Sequence, residues 1–191
     1  MRLKDNQKIE NIYKATLRII ENFGFGGITM AKIASEAKLA TGTLYIYFKN
    51  KEELIHALYD SLKNRSSERF VADYDKSKPF VVCLKKIWVN YLLHRIKYHD
   101  ESVFLEQYYR SVYITKKQKE QAELMKQPVF ELIERGKKEM LLKSNMDKQM
   151  MFSAMIGFIR ELADAHFEGR YDMTQERIEK AFQLSWDSIK A

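Results

Sequence analysis

The stretch from Ile28 to Leu54, ITMAKIASEAKLATGTLYIYFKNKEEL, decides the fold. Thr29 stands just before an apolar set, Met30, Ile33, Ala34 and Ala37, spaced by three and four; its hydroxyl can cap a short helix. Lys38-Leu39-Ala40 break that helix. Thr41 to Tyr47 has room for two turns, with Leu44 and Phe48 as apolar anchors and hydroxyls at Thr41, Thr43, Tyr45 and Tyr47 around it. Asn50, with Glu53 three residues on, reads as an N-cap and capping-box partner for a helix that turns Leu54, Ala57, Leu58 and Leu62 inward. Upstream, Ile9, Ile12, Thr16, Ile19 and Phe23 give an amphipathic helix from about Asn6 to Asn22, stopped by Gly24, with Gly26-Gly27 as a turn.

Short helices with a break of about three residues between the second and third make a helix-turn-helix, whose second element enters the major groove of DNA. The polar residues suit that task. Short hydroxyls and tyrosines can donate to phosphates, contact base edges or meet the thymine methyl. Gly42 lets the helix start approach a backbone closely. Lys49 and Lys51 are placed for phosphates, Lys38 can add another phosphate contact, and Thr29 can present its hydroxyl and neighbouring amides to one more. On residue pattern alone, the tyrosines could equally be packing residues and the lysines an ordinary solvated helix start.

The run from Gly42 to Leu54, together with Ile28-Thr29-Met30, Ile33-Ala34, Ala37 to Leu39 and the earlier Ala15-Thr16 to Phe23-Gly24-Phe25, resembles the TetR family of bacterial transcriptional regulators over roughly residues 8–60. The resemblance implies an all-α fold of about nine helices: a three-helix DNA-binding head over residues 1–50, a connecting helix and linker over 51–78, and a larger ligand-binding and dimerisation domain over 79–191. By matching position it makes Thr29, Thr41, Thr43, Tyr45 and Tyr47 DNA contacts, with Lys51 on a phosphate. The chain departs from the family pattern at Lys38, where Gly is common at a turn that favours a left-handed backbone. It departs again at Ala40, often Ser, and at Thr41, often Lys or Arg.

Composition narrows the class. The chain has 191 residues, 46% hydrophobic and 31% charged, with 7 Gly and 2 Pro. That is a folding composition, too poor in turn residues for an all-β sandwich. A single cysteine, Cys83, excludes an intrachain disulfide framework and reads as a small buried hydrophobe. The longest nearly apolar run, Met150 to Ile159, is about half a membrane span. The N-terminus has no apolar signal region, so a cytoplasmic protein is expected. The net charge is +7, of which +4 falls in residues 1–70, the side expected to meet an anionic partner.

Beyond the polar stretch Asp73 to Lys78, with Pro79 as a first-turn residue, the chain reads as helix throughout. Helices are expected over Phe80 to about His99, Ser102 to Tyr113, Thr115 to Pro128 (which must kink or end its helix), on to about Leu142, Asp147 to Glu168 and Thr174 to Lys190. The family binds a small-molecule effector in this domain, and Trp88, Tyr91, Phe104, Tyr108, Tyr109 and Tyr113 could line such a pocket or be plain core. The last two helices resemble the family's dimer-forming pair, so Met151, Met155, Phe158, Ile159, Leu162, Ile178, Phe182 and Trp186 are candidates for a homodimer interface. His94 and His99 are five apart and His56 and His166 are isolated, so no metal site is expected, nor any cofactor. No nucleophile elbow, phosphate loop or H-E-x-x-H argues for an enzyme. The expected partners are a double-stranded DNA operator, a small molecule and a second copy of the chain, with no membrane. The alternative is a DNA-binding regulator whose C-terminal domain answers to a protein partner or has no ligand.

Overall fold

A computed structural model describes residues 2–191, with side chains from Asp5 onward. Ten α-helices are described: α1 (Arg2–Phe23), α2 (Met30–Glu36), α3 (Thr41–Tyr47), α4 (Lys51–Phe70), α5 (Phe80–Lys97), α6 (His99–Tyr109), α7 (Lys116–Leu124), α8 (Gln127–Lys138), α9 (Lys148–Phe167) and α10 (Gln175–Ile189), with one 3-10 turn at Phe25–Gly27. The difference from about nine lies at Pro128, which sits in the first turn of α8. A proline lacks the amide that a continuing helix would need, but at a helix start that amide has no intrahelical partner anyway.

The chain forms two compact units, Met1–Asn64 with Asp100–Thr115, and Arg65–His99 with Lys116–Ala191. The linear plan places residues 100–115 with the C-terminal domain, but their packing assigns them to the first unit. There Phe104 and Tyr108 are fully buried beside Ile12, Ile33, Leu44, Leu54 and Leu58. Phe25 lies 5.8 Å from the Phe104 ring, and Tyr59 stacks on Tyr108 at 4.2 Å. Helical spacing marks a residue as inward without saying into which core.

Local chemistry sets the boundaries of the first unit. Gly24, with φ of 62° and ψ of −176°, ends α1 in a backbone conformation that glycine alone adopts readily. Gly27 is required for close approach: a Cβ there would lie 2.4 Å from that of Phe23. Thr16, on the inward face of α1, is tolerated because its hydroxyl donates to the Ile12 carbonyl at 2.8 Å.

The second unit packs α5 against α8, α9 and α10. Trp88, Leu92, Ile133, Met151 and Ile159 are among its buried residues, and Trp88 donates its indole N–H to Ser185 Oγ at 3.1 Å. Cys83 is buried, as its sequence context indicates. Asp147 and Thr174 cap α9 and α10 by accepting from the backbone amides of Met150 and Arg177.

One buried group in this unit makes stability depend on pH. His94 has Nε2 3.2 Å from Ser66 Oγ and packs edge-on to Phe70. Burial, reinforced by the charges of Arg69 and Arg95, pushes it down to about 4 from its ordinary 6.5. The unfolded chain takes up this proton near 6.5 and the folded chain only near 4. The native state therefore holds its full advantage above pH 6.5 and loses up to about 3 kcal/mol as pH falls towards 4. Denaturant unfolding at pH 7 and pH 4.5 should show that loss, and His94→Gln should flatten it. Equal losses in both proteins would place the acid sensitivity elsewhere.

Candidate nucleic-acid interface

Helix α3 is positioned by the turn before it. Thr29 has extended backbone and its hydroxyl accepts from the Lys32 amide at 3.2 Å, so it caps α2. At the far end the Leu39 amide donates to the Ala34 carbonyl at 2.9 Å and the Lys38 amide to that of Ser35 at 3.1 Å. This paired closure puts Lys38 at φ of 57°. It is the left-handed turn at which the sequence has Lys in place of Gly, at a strain of about 1 kcal/mol. The geometry carries the side chain out to solvent.

Leu44 is fully buried and Phe48 nearly so, its ring 6.1 Å from that of Tyr13 on α1. With those anchors inward, Thr41, Gly42, Tyr45 and Ile46 face solvent and Thr43 and Tyr47 are half-buried. Tyr45 is 54% and Ile46 79% exposed. A Cβ added to Gly42 would meet nothing within 4 Å, so the start of α3 is open to a close partner. The start of α4 is fixed by a reciprocal cap: Asn50 Oδ1 accepts from the Glu53 amide at 2.8 Å and the Glu53 carboxylate from the Lys49 amide at 2.6 Å. That cap holds Lys49 exposed and Lys51 half-buried at the end of the reading helix. The Lys51 ammonium sits 5.9 Å from the Tyr113 ring centre. Eight of the nine residues singled out for DNA thus lie on α3 and its two flanks, and Thr29 lies at the start of α2.

Sequence reading missed two residues here. Ile46 follows Leu44 by two positions, which turns it away from the core; that spacing was a usable signal. Asp5 gave none. It lies 42 residues from Tyr47, yet the Tyr47 hydroxyl donates to its carboxylate at 3.0 Å. Burial first, then the Asp5 hydrogen bond and charge, raise the Tyr47 phenol above its ordinary 10.

The six aromatics considered for a ligand pocket are not brought together. Phe104, Tyr108 and Tyr113 pack around Phe25 in the first unit. Tyr108 is fully buried, its hydroxyl 2.6 Å from His56 Nδ1, and Tyr109 is exposed on the same helix. Trp88 is core in the second unit. Tyr91 lines a 310 Å³ cavity within the second unit, and the other five do not share it. Its other walls include Phe70, Ile87, Val129, Phe152 and Ile156, all aliphatic or aromatic positions whose spacing looks the same whether they meet a neighbour or a void.

The interface candidates need a similar correction. Met151, Met155, Ile159, Ile178 and Phe182 are buried in the chain's own core, and Trp186 packs on Phe80 at 5.9 Å. Phe158 and Leu162 are partly exposed. The outward face of α9 instead carries Ala154 and Gly157, and that of α10 carries Leu184 at 62% exposure. The periodic apolar face of each helix was read correctly as apolar, but it meets its own chain.

A capped helix, a three-residue turn with Lys38 left-handed and a two-turn helix with Thr41, Tyr45 and Ile46 exposed define a helix-turn-helix DNA-binding head. Residues 12–58 match the family described as bacterial regulatory proteins, tetR family, and residues 79–190 match the family described as tetracyclin repressor-like, C-terminal domain. The chain belongs to the TetR family, a class of transcription regulators and not of enzymes.

An HTH-type transcriptional regulator of Haemophilus influenzae is 34% identical over 90 residues, 47% of this chain and 48% of that protein. The fatty acid metabolism regulator protein of Bacillus subtilis is 35% identical over 66 residues, 35% of this chain and 34% of that protein. The chain therefore spans less than half the length of these relatives. Among solved structures, a TetR family transcription regulator from Marinobacter aquaeolei superposes with a TM-score of 0.87 at 24% identity, covering 100% of this chain and 99% of that one. A transcriptional regulator from Vibrio parahaemolyticus gives 0.76 at 26%, covering 96% and 99%. No helix among the described residues is long and apolar enough to cross a membrane.

The Asp5 contact can be tested directly. Asp5→Asn should lower the Tyr47 titration midpoint, followed by NMR of ring-labelled tyrosine, while burial keeps it above 10. A midpoint that does not move would mean that the bond is not made in solution.

Proposed function

We propose that the chain is a homodimeric, sequence-specific DNA-binding regulator acting in the cytoplasm. In this reading it represses by occupying a near-palindromic operator and is released when a small molecule enters the C-terminal unit. The observation that carries the reading is α3: a two-turn helix anchored by Leu44 and Phe48, with Thr41, Thr43, Tyr45, Ile46 and Tyr47 at or near its free surface. Affinity would come from phosphate contacts by Lys38, Lys49, Lys51 and Thr29, with release of counterions. Specificity would come from the hydroxyls and from Ile46 against a thymine methyl. The 310 Å³ cavity supports control by a small molecule over a sealed C-terminal unit.

Dimerisation is supported by the free face of α9. Gly157 lies mid-helix, exposed, with nothing within 4 Å of where its Cβ would be. Glycine there costs about 1 kcal/mol relative to alanine, a cost that a closely approaching second helix would offset. Two heads joined in this way would read half-sites about one DNA turn, ~34–36 Å, apart or a near multiple of that distance.

Binding to the DNA immediately upstream of the protein's own gene, compared with scrambled DNA of equal length across a salt series, tests the reading. A preference of about 10³-fold supports it; no binding to either at low salt overturns it. Thr43→Ala should weaken specific binding by roughly 1 kcal/mol and leave the oligomeric state intact. Lys51→Ala should reduce the salt slope by about one unit for any sequence. Gly157→Arg should give a folded monomer by light scattering and circular dichroism. A persistent dimer would move the interface off this face of α9.

A further inference from the structure

We infer that the cavity of the second unit selects an uncharged, predominantly apolar small molecule and discriminates against anions and cations of the same size. The inference rests on the effector reading above and adds the chemical class. The cavity, at 310 Å³, has room for of the order of ten water-sized groups. Its walls are aliphatic or aromatic apart from Ser67, Tyr91 and Lys126. Ser67 and Tyr91 are each already engaged within the protein, Tyr91 with its ring edge-on to Phe70 at 4.9 Å.

Lys126 decides the charge. It is the one cation in the wall, and its ammonium is held by both carboxylate oxygens of Glu123 at 2.8 Å and lies 5.8 Å from the Phe152 ring centre. Glu123 is not part of the wall. The space is therefore bordered by a charge that is already neutralised. An anionic ligand would have to displace Glu123 to reach Lys126. A partly exposed pair of this type contributes at most about fivefold in an equilibrium, while taking a carboxylate out of water against apolar walls costs many times that. A cation meets the same desolvation cost and finds no acid on the wall to answer it. A neutral ligand disturbs none of these contacts and gains the burial of its apolar surface.

The test uses the purified full chain and three probes of one chain length: octanol, octanoate and octylammonium. Each is titrated calorimetrically at pH 8 against the wild type. Octanol should bind at least tenfold more tightly than either charged probe. Glu123→Gln, which releases Lys126, should raise octanoate affinity several-fold and leave octanol unchanged; a merely structural role for the pair would not produce that selectivity change. Ile156→Trp and Val129→Phe fill the cavity, and whichever remains folded by circular dichroism should lose octanol binding at least tenfold. Tighter binding of either charged probe, or no binding by any of the three, overturns the inference. Tight octanol binding that leaves operator binding unaffected would sink the effector reading alone, since the selectivity is measured without DNA.

Discussion

A helix of seven residues cannot hold itself together in water, because the order imposed on its first turn is not repaid before the helix ends. Everything exposed on α3 therefore depends on two side chains that are not. Leu44 is fully buried and Phe48 is 6% exposed, both in the core that α1, α2 and α4 build around them. Each such burial is worth about 1.5–3 kcal/mol, the scale needed to offset the entropy of ordering two turns. The geometry of the reading face follows from it. Fixing Leu44 inward places Tyr45 and Ile46 outward and leaves Thr43 and Tyr47 on the flanks, without any contact of their own having to determine it.

The turn that delivers α3 follows the same logic with less room for error. The closure through Leu39 and Lys38 satisfies two carbonyls at the end of α2 and reverses the chain within three residues. It does so only with residue 38 left-handed. Lysine accepts that conformation at a modest strain and in return presents a positive charge at the flank of the reading helix. The reciprocal Asn50–Glu53 cap does the equivalent at the other flank, setting the start of α4 and with it Lys49 and Lys51.

Most of this head was legible in the sequence because its signals are local. A cap, a break, two anchors and a capping box each involve residues within a few positions of one another, so α2, α3 and the start of α4 lie where the residues put them. Asp5 was not legible, because nothing within reach of it in the chain points to Tyr47. The second unit was less legible for a related reason. The 3.6-residue period says that Met151, Ile159, Phe104 and Tyr91 face something apolar. It cannot say whether that is the chain's own core, a core in the other unit, a void or a second subunit. The structure places Met151 and Ile159 in their own core, Phe104 in the other unit's core and Tyr91 on a cavity wall. These three outcomes of one pattern are separated only by long-range packing.

Helix α4 bears on how a ligand could matter to the head. Its twenty residues contain no glycine or proline, so it has no built-in point at which displacement would be absorbed as a kink. Its first turn carries Lys51 and the reciprocal cap, while Ser67 and Phe70 near its end line the cavity. In the effector reading, motion imposed at Phe70 would have to be carried by this helix. Transmission alone does not make a switch: a ligand that fits both positions of the helix equally well shifts nothing, however tightly it binds. What is needed is a difference of about 1–3 kcal/mol between the two positions, enough for a 5–150-fold change in DNA affinity. A cavity walled by flexible Met125 and by the aromatics Phe70 and Phe152 can supply such a difference through packing alone.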